Sequence, residues 1–391
     1  MMKIILKDSQ NIWRQLLPLT YSRPVGGLRC GIFTIGECWR KLLGADESEI
    51  YYDSEEYLRG VWPYTGETDG DETVTIDSSV LPTAGLASFV MALRPGGRIE
   101  DIAGKTLAFK GRGDGEMVKI DSEVKRIAYP YDIFLNNPQR IVHDFGLIDP
   151  MPVPEFGPDV RIIGPAESIK IHPSARLCAC VINASEGPVY IGPDTRVMEN
   201  AVLRGPVAVC AGSQVMMAAR LYDGVTLGPR CKVGGEVDDT VFQGFSNKAH
   251  EGYLGNAVVG EWCNIGAGAN ASNLKNDYTP IKLWDYGSGH FRRTGLQFCG
   301  LILGDHTKVG VGMMLNTATM VGVACTLHGP GFPRNFVKSF QDGGAAGFMP
   351  LGFAAWQRTA TAVMGRRDIA MTPQYLALWQ HIFAIASEIE K

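Results

Sequence analysis

The 391 residues are too many for one ordinary hydrophobic core, and 45% apolar with 20% charged side chains is a globular balance. A formal net charge of −4 gives no electrostatic reason to expect nucleic acid or an anionic membrane as partner, and no apolar run reaches membrane-spanning length. Nine scattered cysteines without a CxxC pair read as reduced thiols, which points to a cytoplasmic protein. The start, Met1 to Asp8, is too short and too charged for a signal peptide and reads as a first strand through Ile4-Ile5-Leu6. Thr34 to Leu43 reads as a short helix capped by Thr34, and Ala84 to Leu93 as a second, stopped by Pro95-Gly96-Gly97. Val74-Thr75-Ile76 and Thr106-Leu107-Ala108-Phe109 read as further strands. This alternation predicts an α/β domain over residues 1–155. Ile133 to Phe145 is a helical connector, and Asp149-Pro150-Met151-Pro152-Val153-Pro154 a stiff linker at the boundary.

From there the pattern changes. An aliphatic residue recurs at every sixth position: Ile191, Val197, Leu203, Val209, Val215, Leu221, Leu227, Val233. A period of six fits neither a 3.6-residue helix nor plain strand alternation. It fits a solenoid whose flat sides each point one aliphatic residue inward, with glycines such as Gly192, Gly228 and Gly234 at the corners. The phase returns at Val259 and Ile265, and again at Leu303, Val309, Leu315, Val321 and Leu327. A hexapeptide-repeat β-helix is therefore predicted over residues 156–345, with two interruptions. The longer one, after Asn270, should protrude as a loop or hairpin, and its Lys275, Lys282, Arg292 and Arg293 are candidate phosphate contacts, with solvated surface as the alternative. Cys178 and Cys180 sit at strand-like spacing and read as small packing residues. Residues 346–391 read as helices, Phe353 to Arg366 and Thr372 to about Ile389. The second carries the stripe Tyr375, Leu378, Trp379, Ile382, Ile385 and Ile389, expected to cover the open end of the solenoid or a neighbouring subunit.

A dry aliphatic interior leaves no room for chemistry, so a site must lie on the outer faces, between subunits or under an insertion. The first interruption holds Lys248-Ala249-His250-Glu251 and Tyr253-Leu254-Gly255-Asn256, leading into Asn264-Ile265-Gly266-Ala267-Gly268. His250 has the chemistry of a general base near neutral pH, although a loop histidine taken alone reads as a surface residue. In the first domain, Arg23, Gly26, Gly27 and Arg29 form a glycine-containing turn with two arginines that could cradle a nucleoside triphosphate; an ordinary turn is the alternative.

The segment from Lys248 to Asn273 resembles the acetyltransferase half of the bifunctional N-acetylglucosamine-1-phosphate uridylyltransferase / glucosamine-1-phosphate N-acetyltransferase family. The likeness is carried by Lys248-Ala249-His250, Tyr253-Leu254-Gly255-Asn256, Asn264 to Gly268, and Asn273. It implies a left-handed coil, a homotrimer with the acetyl site between subunits, and acetyl-coenzyme A and a sugar phosphate as substrates. It implies His250 as the base toward the sugar amine, Tyr253 and Asn264 as amino-sugar contacts, and Ala267 and Asn273, with Lys275 after them, near the coenzyme. The family's phosphate-binding arginine aligns with Tyr222, where Arg220 is the nearest substitute, and its lysine aligns near Thr240. The first domain is similar to a shortened nucleotidyltransferase through Arg23-Pro24, Leu28-Arg29-Cys30-Gly31, Tyr129-Pro130-Tyr131-Asp132 and Asn136-Asn137. That implies nucleotidyl transfer from a nucleoside triphosphate with Mg²⁺, for which Asp114 and Asp132 are candidate ligands. The expected whole is an amino-sugar acetyltransferase with a sugar nucleotidyltransferase domain. The alternatives are a single-activity uridylyl- or thymidylyltransferase with an inactive β-helix, and a non-catalytic trimeric scaffold.

Overall fold

The computed structural model describes residues 2–67, 69–151 and 157–391; the linker prolines 152 and 154 lie outside the described residues. Strands β1 (Lys3–Lys7), β2 (Ile50–Asp53), β3 (Thr73–Asp77), β4 (Arg98–Glu100), β5 (Thr106–Lys110) and β6 (Met117–Lys119) form one mixed sheet in the order β2-β1-β3-β5-β4-β6. β1 runs parallel to both β2 and β3, and β5 returns antiparallel to β3. Helices α1 (Gln10–Gln15), α2 (Ile35–Leu43), α3 (Ala84–Met91) and α4 (Pro130–Gly146) complete the domain. Local signals set their ends. Thr34 accepts from the Glu37 N–H while the Glu37 carboxylate accepts from the Thr34 N–H, a capping box, and Gly44 closes α2 at φ 63°. Pro130 occupies the first turn of α4, where its missing N–H costs nothing.

The hexad residues build a parallel β-helix with three faces. On the first, Ile182, Leu203, Leu221, Val237 and Leu254 stack inward; on the second, Ile191, Val209, Leu227, Phe242, Val259, Leu303, Val321 and Val337. On the third, the row is Leu177, Val197, Val215, Val233, Lys248, Ile265, Val309 and Leu327. The first interruption is thus not a break. It is two continuous coils in which Val237, Phe242 and Lys248, then Leu254, Val259 and Ile265, keep the inward phase at irregular spacing.

The second face differs from the others on its outside as well. Its outward residues from Val241 on, namely Val258, Ile302, Met320 and Phe336, are apolar and join the core of the α/β domain. Helix α4 lies across this face. Its buried Asn137 donates to Gly224 O at 2.8 Å and to Thr226 Oγ1 at 3.0 Å, and accepts from the Gly31 N–H at 2.7 Å.

Helices α5 (Phe353–Gly365) and α6 (Pro373–Ile389) follow, the latter capped by the Thr372 hydroxyl. The α6 stripe does not cap the open end of the solenoid. Leu378, Trp379 and Ile382 pack into the core shared by the α/β domain and the second face, with Trp379 against Trp356 at 4.7 Å and His306 at 4.9 Å. The long insertion forms a hairpin, Lys282–Asp285 with His290–Arg293, that folds back on the same junction. Trp284 stacks on Phe336 at 4.1 Å, and the Arg292 guanidinium lies 3.7 Å above the Tyr129 ring and meets the Tyr131 hydroxyl. Among the described residues no helix is long and apolar enough to cross a membrane, and all nine cysteines are free.

Candidate active site

His250 stands exposed on the corner between the third and first faces. Corners stack here coil upon coil. The Gly268 N–H donates to Glu251 O at 2.9 Å, and the Gly312 N–H to Ala267 O at 2.8 Å, so His250, Ala267 and Val311 follow one another along one ridge. No side-chain hydrogen bond holds the His250 ring among the described residues. What fixes the corner is Lys248. Its side chain is 1% exposed in an otherwise aliphatic row, and its ammonium donates to Gly234 O at 2.9 Å and His250 O at 3.0 Å. Burial lowers its pKa to about 8.

Glu251 does not orient His250. It turns to Arg220 at 3.0 Å, and Glu236 reaches the same guanidinium at 3.6 Å. Arg220, Glu236 and Tyr253 are successive outward residues of the first face. Tyr253 in turn accepts from Asn273 Nδ2 at 2.8 Å, and the same amide reaches Asn256 Oδ1 at 2.8 Å. The structure therefore brings Tyr253 and Asn273 into contact and sets Arg220 beside them. Asn264 is exposed around the corner on the third face, between Asn247 and Lys308. Lys275 stays within its own turn, 3.4 Å from Thr279 Oγ1 and from Pro280 O.

Beyond Tyr253 a cavity of about 500 Å³ opens, lined by Asp238, Asp239, Asn256 and Asn273, with Leu135 of α4 and Leu296 and Phe298 of the insertion as apolar wall. Burial, then Asp238 and Asp223, push the Asp239 carboxyl up to about 7. Burial raises Tyr253 to about 12, helped by Asp238 and Glu236. Sequence reasoning passed over these aspartates; the only signal was the adjacent pair Asp238-Asp239 at a coil corner.

In the α/β domain the four residues predicted to cradle a triphosphate have other engagements. Arg23 is buried and forks onto Asp305 at 2.7 and 3.2 Å, with Glu261 at 3.2 Å, across the domain junction. Arg29 exchanges backbone bonds with the Gln243 amide at 2.7 and 3.1 Å, and its guanidinium meets Ile32 O and Glu37. Gly26 and Gly27 are close-packing glycines: a Cβ would come within 2.7 Å of Leu6 and of Trp62. The turn thus faces the β-helix rather than an open cleft.

The Mg²⁺ candidates do not form a cation site. Asp132 caps α4, accepting the Ala128 and Tyr129 N–H groups at 2.8 Å, and Asp114 is an exposed turn residue. Cys38, His143 and Asp144 cluster, but the Arg140 guanidinium already sits 3.1 Å from the thiol and 2.9 Å from the carboxylate. A better-placed opening is a cavity of about 290 Å³ at the carboxyl ends of β1 and β3, between Lys7, Asp8, Asp77 and Lys105. Ligands of open α/β sheets enter at such strand ends. The signal missed in the sequence was Lys7-Asp8, the first residues past the apolar core of β1.

Residues 4–150 match the family model described as sugar nucleotidyl transferase. Bifunctional protein GlmU of Rippkaea orientalis is 33% identical over 86 residues, which are 22% of this chain and 18% of that protein. GlmU of Methanocaldococcus jannaschii is 28% identical over 90 residues, covering 23% and 21%, and GlmU of Bordetella parapertussis 35% over 107 residues, covering 22% and 23%. The match thus spans about a fifth of the length of these curated relatives. Among solved structures, the UDP-N-acetylglucosamine acyltransferase of Francisella novicida is 14% identical with a TM-score of 0.24, covering 58% of this chain and 85% of that one. The polysialic acid O-acetyltransferase OatWY is 14% identical with a TM-score of 0.23, covering 49% and 87%. Residues 4–150 thus match the sugar nucleotidyl transferase family model, and about a fifth of the chain is similar in sequence to part of GlmU proteins.

Proposed function

We propose that the β-helix transfers an acetyl group from acetyl-coenzyme A to the amine of an amino sugar, with glucosamine 1-phosphate as the acceptor that the resemblance implies. The observation that carries this reading is the exposed His250 on a corner pinned by Lys248, next to the hydrogen-bonded pair Tyr253–Asn273. An unpartnered imidazole can accept the amine proton as the nitrogen attacks the thioester carbonyl, and the thiolate leaves as the free coenzyme thiol. Ala267, one coil along the same ridge, and Asn273 are the proposed coenzyme contacts; Tyr253, Asn264 and Arg220 are those of the acceptor. Exposed Met217, Val311 and Met314 on the same corner and face support association of three copies there, since apolar surface of this kind marks an interface.

For the α/β domain the reading is nucleotidyl transfer to a sugar 1-phosphate, with the nucleoside triphosphate entering at the strand ends near Lys7, Asp77 and Lys105. The family match over residues 4–150 supports it. The scattered cysteines, all of them free, support a cytoplasmic location.

The test is release of free thiol from acetyl-coenzyme A with an amino-sugar acceptor, for the wild type and for His250→Ala. Release that depends on His250 is expected. Equal release by both proteins removes His250 from the mechanism.

A further inference from the structure

Three glycines of the α/β domain make room for two aromatic rings. None of Gly26, Gly27 and Gly36 has a positive φ, so the backbone conformation does not require them. A Cβ on Gly27 would fall 2.7 Å from the Trp62 ring, one on Gly26 3.0 Å from the Tyr52 ring, and one on Gly36 2.5 Å from the Tyr52 hydroxyl. Trp62 is further pinned by its Nε1, which donates to Ser22 O at 3.0 Å. Tyr52 meets it edge-on, with 5.2 Å between centroids and 78° between planes. The two rings wall a cavity of about 340 Å³ that Thr34, Glu37, Arg40 and Glu47 complete. Tyr52 pairs with Leu6 in the sheet, so this cavity lies on the sheet face opposite Lys7 and Asp77.

The charges around the cavity balance. Glu37 is engaged, accepting the Thr34 N–H at 2.6 Å with the Arg29 guanidinium at 3.5 Å. Arg40 and Glu47 have no ion-pair partner among the described residues and carry one charge of each sign. The Tyr52 hydroxyl has no hydrogen-bond partner there either. Burial, then Glu37, Asp8 and Glu47, raise its pKa, so it stays a donor. The first turn of α2 adds no anion site, because its Ile35 and Glu37 N–H groups donate to Leu28 O and Thr34 Oγ1. A cation or an anion would meet one attractive and one repulsive charge. A neutral polyol with one apolar face uses every wall: its C–H face lies on an aromatic ring, while neighbouring hydroxyls donate to Glu47 and accept from Arg40 and Tyr52. We propose that this cavity binds a neutral pyranose sugar, at a site separate from the strand-end opening and from the His250 corner. The inference depends on neither the acetyl nor the nucleotidyl reading.

Calorimetric titration of the full-length protein decides this. The probes are the methyl glycosides of glucose, N-acetylglucosamine, galactose and mannose, beside choline, inorganic phosphate and uridine as the cationic, anionic and planar alternatives. At least one glycoside is expected to bind in the millimolar range or tighter. Arg40→Ala and Glu47→Ala, both at solvent-accessible positions, are each expected to weaken it about tenfold, the effect of one lost hydrogen bond to a charged group. Gly27→Ala, whose Cβ displaces the Trp62 ring, is expected to weaken it as well. Failure of all four glycosides to saturate overturns the proposal. So does choline, phosphate or uridine binding more tightly than every glycoside in a way that Arg40→Ala or Glu47→Ala abolishes. Glycoside binding that both of these variants leave unchanged belongs to another site and overturns it too. The outcome stands even if Gly27→Ala fails to fold, since the other two variants alter no buried side chain.

Discussion

Arg23 of the α/β domain and Asp305 of the β-helix form a two-pronged ion pair, at 2.7 and 3.2 Å, in which both side chains are almost wholly buried. Ser22 also donates to Asp305, whose carboxylate accepts the Glu261 N–H at 2.8 Å. Each charge has been taken out of water and is compensated by the other domain. Asp305→Ala would strand the guanidinium with Glu261 alone, at a cost of about 3 kcal/mol. Arg23→Met/Asp305→Leu removes both charges together and should recover most of that loss. Chemical denaturation of the wild type, Arg23→Met, Asp305→Leu and the double variant measures the coupling, and a double-variant loss equal to the sum of the two single losses would show that the pair contributes nothing.

His250→Ala tests a surface position, so stability should move by no more than about 0.5 kcal/mol. Acetyl transfer should fall by roughly 10² to 10⁴, the usual contribution of a positioned base. A melting curve beside the thiol assay separates the two effects. A large loss of stability would mean that the corner depends on the imidazole.

Much of the architecture can be read from the chain because one physical rule repeats. Each flat side turns one aliphatic residue inward, so the row from Ile191 to Val233 shows itself at period six. The docking face was harder to see. Its sign is a second apolar residue just before the inward one, as in Val241-Phe242, Val258-Val259, Ile302-Leu303 and Phe336-Val337. On the third face that neighbour is polar, as in Arg196-Val197, Lys232-Val233 and Asn264-Ile265. The period records what points inward and is silent about what packs on the outside. For this reason Arg23 and Arg29 read as phosphate ligands, although their partners, Asp305 and Gln243, lie more than two hundred residues away. Arg292 is hidden for the same reason: in an insertion it reads as a phosphate contact or solvated surface, and nothing local announces the Tyr129 ring beneath it.

Lys248 predicts a pH dependence with a definite sign. Its folded pKa of about 8 lies below the value of roughly 10.4 expected for an unfolded lysine. Between these values the unfolded chain binds more protons than the native one, so stability rises with pH through that window and is flat below it. Lys308, also lowered to about 8, acts in the same direction, so the informative quantity is a difference. The melting temperature of the wild type minus that of Lys248→Met should increase between pH 8 and 10. A constant difference would mean that the ammonium is not held where the geometry places it. The same variant frees the carbonyls of Gly234 and His250, so acetyl transfer should fall even where the fold is kept.

Glu390, in the last turn of the chain, ties three parts of the molecule together. Its carboxylate accepts from Tyr21 of the α/β domain and from Tyr286 of the hairpin, each at 3.1 Å, and from the N–H and hydroxyl of Ser339 at 2.7 Å. Burial raises its pKa above the usual carboxylate value, so the native state holds its proton to higher pH than the unfolded chain does. Glu390 therefore makes stability decrease as pH rises from the unfolded value through the folded one, the reverse of Lys248. Glu390→Ala leaves buried donors on Tyr21, Tyr286 and Ser339 without their acceptor and should cost about 3 kcal/mol. Glu390→Gln keeps an acceptor for one side and should cost less, while abolishing the pH dependence. The measurement is denaturant unfolding of the three proteins from acid to neutral pH. If Gln is as damaging as Ala, the charge itself rather than the acceptor holds the junction, and the sign of the wild-type slope should then reverse.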